Sequence, residues 1–278
     1  MIAVGGLSLE IQTAGPEDGP LLILLHGFPE SSRAWRKVIG PLGERGLRVV
    51  APDMRGYGAS DAPEGIDAYR LDTLVADVVA LADALGAETF ALAGHDWGGI
   101  IAWAVAARHP DRVRRLVILN APHADIVPAE MRRHPRQILR SWYAGFFQIP
   151  RLPEAMLSAF GFRALRRTLL RTSRPGAFDA ADIAAYTAEW GRPGRLTAML
   201  NYYRALRLPY VPLGRITVPV LILWGMKDRF LGAHLARASA TLCDEVRIVR
   251  FNEDTHWIQH EDPRQVAVEI AAFAHGAG

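Results

Sequence analysis

Six short runs, Leu21–Leu25, Arg48–Ala51, Thr89–Ala93, Leu116–Leu119, Val220–Trp224 and Val246–Phe251, are nearly all apolar, and stretches of helical period lie between them. A strand apolar at almost every position has to be covered on both faces, which helices packed on a parallel sheet do. The helical stretches Leu71–Leu85, Gly98–His109 and Pro263–Ala274 supply that cover, the last opening with proline in its first turn. The alternation predicts an α/β fold: a mostly parallel central sheet with helices on both faces, preceded by one or two antiparallel strands around Ala3–Thr13. At 278 residues, one large core with an insertion accounts for the length.

The insertion is visible as a gap in the alternation. Between residues 122 and 215 the apolar runs cease, and Pro and Gly separate the helical stretches Pro128–Phe147, Pro153–Leu170, Ala180–Gly191 and Arg195–Leu206. This predicts an all-helical cap (lid) domain at 122–215 on an α/β core formed by 1–121 and 216–278. The cap holds 15 Arg against 6 Asp and Glu, although the whole chain carries only +3. These arginines follow no nucleic-acid reading motif, so a solvated basic face is expected and no nucleic-acid partner. The longest uncharged apolar stretch, Trp97–Ala107, is too short to span a bilayer, and Met1–Ile11 has no basic leader. No membrane association and a cytoplasmic location are therefore expected. Cys243 is the only cysteine, which excludes an intramolecular disulfide and any CxxC motif.

The chemistry concentrates at Phe90-Ala91-Leu92-Ala93-Gly94-His95-Asp96-Trp97-Gly98-Gly99. An apolar strand runs through a small-x-acid-x-small-small turn into a helix, the pattern of a nucleophile elbow with Asp in place of Ser. A reactive side chain on such a strained turn leaves room only for residues without a Cβ around it. Elsewhere the same string of residues would be a loop capping a helix; here the context supports the elbow. In α/β-hydrolases the oxyanion hole takes one N–H from the residue after the nucleophile and one from the loop after an earlier strand. Trp97 and Phe28, the latter in His26-Gly27-Phe28-Pro29, occupy those places. Nucleophile, acid and base follow one another along the chain in this fold, and Asp96, Asp228 after the fifth run and His256 after the sixth keep that order.

Together these motifs resemble the epoxide hydrolases of the α/β-hydrolase fold. The resemblance covers essentially the whole chain, through residues 26–29, Asp-Met-Arg-Gly-Tyr-Gly at 53–58, 94–99, Leu-Trp-Gly-Met-Lys-Asp at 223–228 and His-Trp-Ile-Gln-His-Glu at 256–261. It implies two cap tyrosines, matched by position to Tyr143 and Tyr203; Tyr202 stands where the family often has Trp, which leaves Tyr202 and Tyr203 as alternatives. A carboxylate suits displacement at an sp³ carbon, since no proton has to leave it first. The alkoxide freed from an epoxide needs a proton or strong hydrogen bonds, which two phenols supply. The resemblance thus implies conversion of an epoxide to a vicinal diol through an Asp96 ester hydrolysed by His256-activated water, with no cofactor.

Trp35, Trp142, Phe146, Phe147 and Trp257 are expected to bind the substrate, a small apolar epoxide; water is the second reactant, and a homodimer is compatible with the sequence. Two alternatives stay open, a haloalkane or haloacetate dehalogenase using the same Asp, and a non-catalytic small-ligand receptor on this fold. A metal is not expected: His256 and His260 are four apart but no third ligand accompanies them. His109, His123, His134, His234 and His275 read as surface residues, and Asp53 and Arg55 as braces of their loop.

Overall fold

A computed structural model describes residues 1–276. Two short strands, β1 (Ile2–Val4) and β2 (Leu7–Leu9), form an antiparallel pair. The main sheet contains β3 (Ile11–Ala14), β4 (Leu21–Leu25), β5 (Arg48–Pro52), β6 (Phe90–His95), β7 (Val113–Leu119), β8 (Val220–Gly225) and β9 (Val246–Phe251), in the order β3-β5-β4-β6-β7-β8-β9. Only β3 is antiparallel to its neighbour. The N-terminal region thus has three strands where one or two were expected.

Alternation along the strands divides the interior in two. Ile23, Leu92, Ile118 and Ile222 point to the face covered by the helices Leu71–Ala84 and Trp97–Arg108, whereas Leu24, Ala93, Val117 and Leu223 point to the face covered by Pro263–Ala274. The strands β4, β6 and β8 are buried along their whole length, as two-sided cover requires.

Between β7 and β8 the chain forms six helices. The stretch expected as one helix over 128–147 is three: Val127–Arg133, Pro135–Arg140 and Trp142–Phe146. Pro135 cannot continue a helix and pushes His134 out of helical geometry, to φ −126° and ψ 77°. Leu152–Thr172 is also interrupted, with Phe160, Gly161 and Phe162 all at positive φ. Ala180–Trp190 and Arg195–Ala205 complete the cap. Among the described residues no helix is long and apolar enough to cross a membrane.

Candidate active site

Asp96 sits between β6 and the helix Trp97–Arg108 at φ 51°, ψ −118°, a conformation a non-glycine residue adopts only where its surroundings enforce it. The glycines around it make that possible. A Cβ on Gly94 would lie 2.2 Å from the Gly98 carbonyl oxygen, and one on Gly98 would lie 2.3 Å from that of Leu25. Gly27 brings the preceding loop against the carboxylate, where a Cβ would meet Asp96 Cβ at 2.4 Å. The Phe28 N–H donates to Asp96 Oδ1 at 2.9 Å. Trp97 begins the helix directly after the elbow.

His256 lies between two carboxylates, with Nε2 3.5 Å from Asp96 Oδ2 and Nδ1 2.7 Å from Asp228 Oδ2. Asp228 is held by the N–H groups of Phe230 and Leu231 at 2.7 and 2.9 Å and by the Asn120 side-chain amide at 2.7 Å. Asn120 belongs to none of the motifs of the sequence. Its signal is a polar residue at the end of the apolar β7, and its Oδ1 also accepts from the Gly225 N–H at 2.9 Å. Behind the imidazole, His95 bonds the His256 carbonyl at 2.9 Å and anchors that loop from the sheet side.

The cap closes the site with aromatic rings. Tyr143 and Tyr203 stand edge to face, ring centroids 5.9 Å apart, and Tyr203 packs on Phe28, Trp97 and Phe147. Tyr202 is differently occupied, its hydroxyl donating to the Arg55 carbonyl at 2.8 Å. Two cavities meet at Asp96, Tyr143 and Tyr203. One, about 340 Å³, is walled by Phe28, Trp142, Phe146, Phe147 and Trp257; the other, about 300 Å³, by aliphatic side chains including Ile100, Val127 and Leu206.

Trp35 is not at the site. It is fully buried in the opposite core with Leu22, Leu24 and Val38, because the turn Ser32–Trp35 folds beneath the far face of the sheet. His123 is also buried, not on the surface, its ring edge-on to Trp103. Asp53 accepts from the N–H groups of Ser32 and Ala59, and Arg55 pairs with Asp77.

A sequence model described as the alpha/beta hydrolase fold matches residues 20–263. AB hydrolase superfamily protein YfhM of Bacillus subtilis is 42% identical over 94% of this chain and 92% of its own length. Mouse epoxide hydrolase 4 is 38% identical over 96% of this chain and 76% of its own. The crystal structure of Bacillus megaterium epoxide hydrolase in complex with an inhibitor superposes with a TM-score of 0.90, at 30% identity and 99% coverage of both chains. The chain belongs to the α/β-hydrolase family, in its epoxide hydrolase branch.

The site of this hydrolase is electrostatically asymmetric. Burial opposes charge on both Asp96 and His256, but their mutual attraction wins. The carboxyl of Asp96 is held below its ordinary range by His256, His95 and the Phe28 N–H, against the cost of burial. His256 is lowered by burial yet pushed up to about 10 by Asp228 and Asp96. His95 goes the other way, to about 4, because burial and the neighbouring His256 both disfavour its charge. Burial and then the Asp96 charge raise both phenols, Tyr143 and Tyr203, which keeps them protonated as donors. A buried network further back was not legible in the sequence. Glu30 binds His260 at 2.5 Å, the Tyr186 hydroxyl at 3.0 Å and the Gln259 amide at 3.1 Å, joining the cap to the loop that follows His256.

Proposed function

We propose that this hydrolase opens an epoxide by attack of Asp96 and then hydrolyses the resulting ester to a vicinal diol. The observation that carries the reading is the pair Tyr143 and Tyr203 lining, with Asp96, the meeting point of the two cavities. Oδ1 of Asp96, held by the Phe28 N–H, becomes the ester carbonyl oxygen. Oδ2 attacks one epoxide carbon as the C–O bond breaks. The oxygen left behind takes hydrogen bonds and a proton from the phenol side, so that a strong base never leaves unassisted.

Alkylation removes the negative charge that, with Asp228, held His256 protonated. The imidazole then gives up its proton, which restores the phenol that protonated the leaving oxygen, and the neutral ring accepts one from water, which attacks the ester carbonyl. Asp228 fixes the tautomer through Nδ1. The N–H groups of Phe28 and Trp97 hold the tetrahedral oxyanion, and its collapse releases the diol and restores the Asp96 carboxylate. Epoxide and water are consumed, and no group is permanently changed. A departing halide needs no proton, so the two phenols favour this reading over a dehalogenase. Aromatic walls on one side and aliphatic walls on the other suit an apolar epoxide that extends to both sides of the carboxylate. Cap and core, proposed at 122–215 and around it, then close on the substrate from opposite sides.

A single turnover in ¹⁸O-water followed by peptide mass spectrometry tests the ester. Label in the Asp96 carboxylate is expected; label found in the diol alone would mean direct attack by water.

A further inference from the structure

Outside both cavities, three metal-binding side chains converge where the cap meets the core. Glu130 lies in the helix Val127–Arg133 and His134 is the residue that ends it. His234 comes from the other side of the junction, opening the helix His234–Ala240. Glu130 Oε2 lies 3.5 Å from His134 Nε2 and 4.0 Å from His234 Nε2. One ligand atom from each of the three falls within 4.8 Å of the others, and the two imidazole rings have centroids 4.0 Å apart.

These distances fit a bound ion. Two ligands on a tetrahedral Zn²⁺ with bonds of about 2.0–2.1 Å are separated by about 3.4 Å; the Glu130–His134 pair at 3.5 Å is already there, the Glu130–His234 pair at 4.0 Å has to close by about 0.6 Å, and the two imidazole nitrogens, within 4.8 Å, by no more than about 1.4 Å. The atoms are also uncommitted. Glu130 is buried and its Oε1 accepts from Arg133 at 3.0 Å, while Oε2 is the oxygen near the two imidazoles. His234 Nε2 is buried without a hydrogen-bond partner. His134 is half exposed, which leaves an entry path and room for water as a fourth ligand.

We propose that Glu130, His134 and His234 form a binding site for Zn²⁺ or a similar borderline divalent cation, and that the ion braces the cap against the sheet. Two imidazoles and one carboxylate select this class over Ca²⁺ and Mg²⁺, which take oxygen ligands. The guanidinium groups of Arg133, Arg140 and Arg237 stand close by and moderate the affinity. None of the three ligands lines either cavity, so the ion takes no part in epoxide opening. Its mechanical reach is nevertheless short. Gln137, one turn beyond His134, bonds the Phe230 carbonyl at 2.6 Å and the Gly232 N–H at 3.0 Å, in the loop that starts at Asp228. Met131 and Leu235, each next to a ligand, line the aliphatic cavity.

The test is titration of the chelator-treated full chain at pH 7.5, with Co²⁺ followed by its visible absorption and Zn²⁺ followed by competition with a chromophoric indicator. One equivalent should bind with a tetrahedral Co²⁺ spectrum. His134→Ala and His234→Ala should each weaken binding by at least about 10-fold, and Zn²⁺ should raise the melting temperature of the wild type but not of either variant. His234→Asn, closer in shape, serves if the alanine variant is misfolded. Absence of stoichiometric binding, or binding that survives both substitutions because other histidines hold the ion, would overturn the proposal.

Discussion

The sheet and the cap bury their apolar residues by different means. In the sheet, each interior strand is fixed by backbone register to two neighbours and by side chains on two faces, so β4, β6 and β8 are buried throughout. The cap leaves Leu139 74%, Trp142 64% and Phe160 85% exposed. Point contacts tie it down: the Trp190 indole donates to the Pro29 carbonyl at 2.6 Å, Tyr186 to Glu30 at 3.0 Å and Tyr202 to Arg55 at 2.8 Å. The groups that need a fixed mutual geometry, Asp96, Asp228 and His256, all follow sheet strands. The paired tyrosines and part of the cavity walls, Trp142, Phe146, Phe147 and Leu206 among them, come from the cap. Precision resides where backbone register sets position, and adaptability where a few side-chain anchors do.

This division can be broken by substitution. His256→Gln should lower turnover by on the order of 10⁴-fold, and intact-mass analysis with excess epoxide should find the protein carrying substrate mass, since attack by Asp96 does not need the imidazole. A folded variant that turns over slowly without such an adduct would contradict the order of steps.

Stability should follow the sheet. Trp103, fully buried under it, should cost about 3–5 kcal/mol on replacement by Ala, whereas Trp142→Ala in the cap should change stability by no more than about 0.5 kcal/mol. Urea denaturation of both variants measures the contrast, and equal losses would mean that the cap is as tightly integrated as the core.

Removing one of the two proposed donors to the leaving oxygen, by Tyr143→Phe or Tyr203→Phe, should slow the proposed alkylation by about 10² to 10³. Tyr202→Phe should have a much smaller effect on that step, because its hydroxyl is engaged by Arg55. Stopped-flow tryptophan fluorescence, with Trp97 next to Asp96, follows alkylation apart from hydrolysis. If the Tyr202 variant were the slower one, the second cap donor would have to be reassigned.

A further contrast is in the pH dependence of stability. His256 is raised to about 10 in the folded chain, from an ordinary value near 6.5 in the unfolded chain. The folded state therefore binds the extra proton, and this contribution is complete below about pH 6.5 and fades as pH rises through about 10. The melting-temperature advantage of wild type over His256→Gln should shrink across that interval. A constant difference would mean that the imidazole is neutral in the resting enzyme.

Much of this was legible from local pattern. Apolar runs marked β4, β6 and β8 because a strand covered on both sides cannot carry polar residues at either phase, whereas the edge strand β9 keeps Arg247 and Arg250 exposed between its apolar residues. Gly94 and Gly98 marked the elbow because backbone approaches within 2.2 and 2.3 Å of a would-be Cβ exclude every other residue. Such constraints act within a few residues, and one chain displays them. The segment 128–147 misled because a helical period persists in sequence across Pro135, where the backbone cannot follow it.

The remainder depended on contacts between distant segments. Periodicity could not place Trp35 on the far side of the sheet, since an aromatic residue in a turn looks the same whichever core receives it. Tyr202 and Tyr203 are adjacent and chemically identical, and only the packing of the cap on Arg55 and Phe28 separates them. Asn120 and Asp228 are 108 residues apart, and Glu30 and His260 are 230 apart. The sequence alone determined the order of strands and helices and the chemistry available at the sheet's carboxyl edge. Tertiary structure alone decided which side chains share that space, because burial and hydrogen bonding are properties of pairs brought together by the fold.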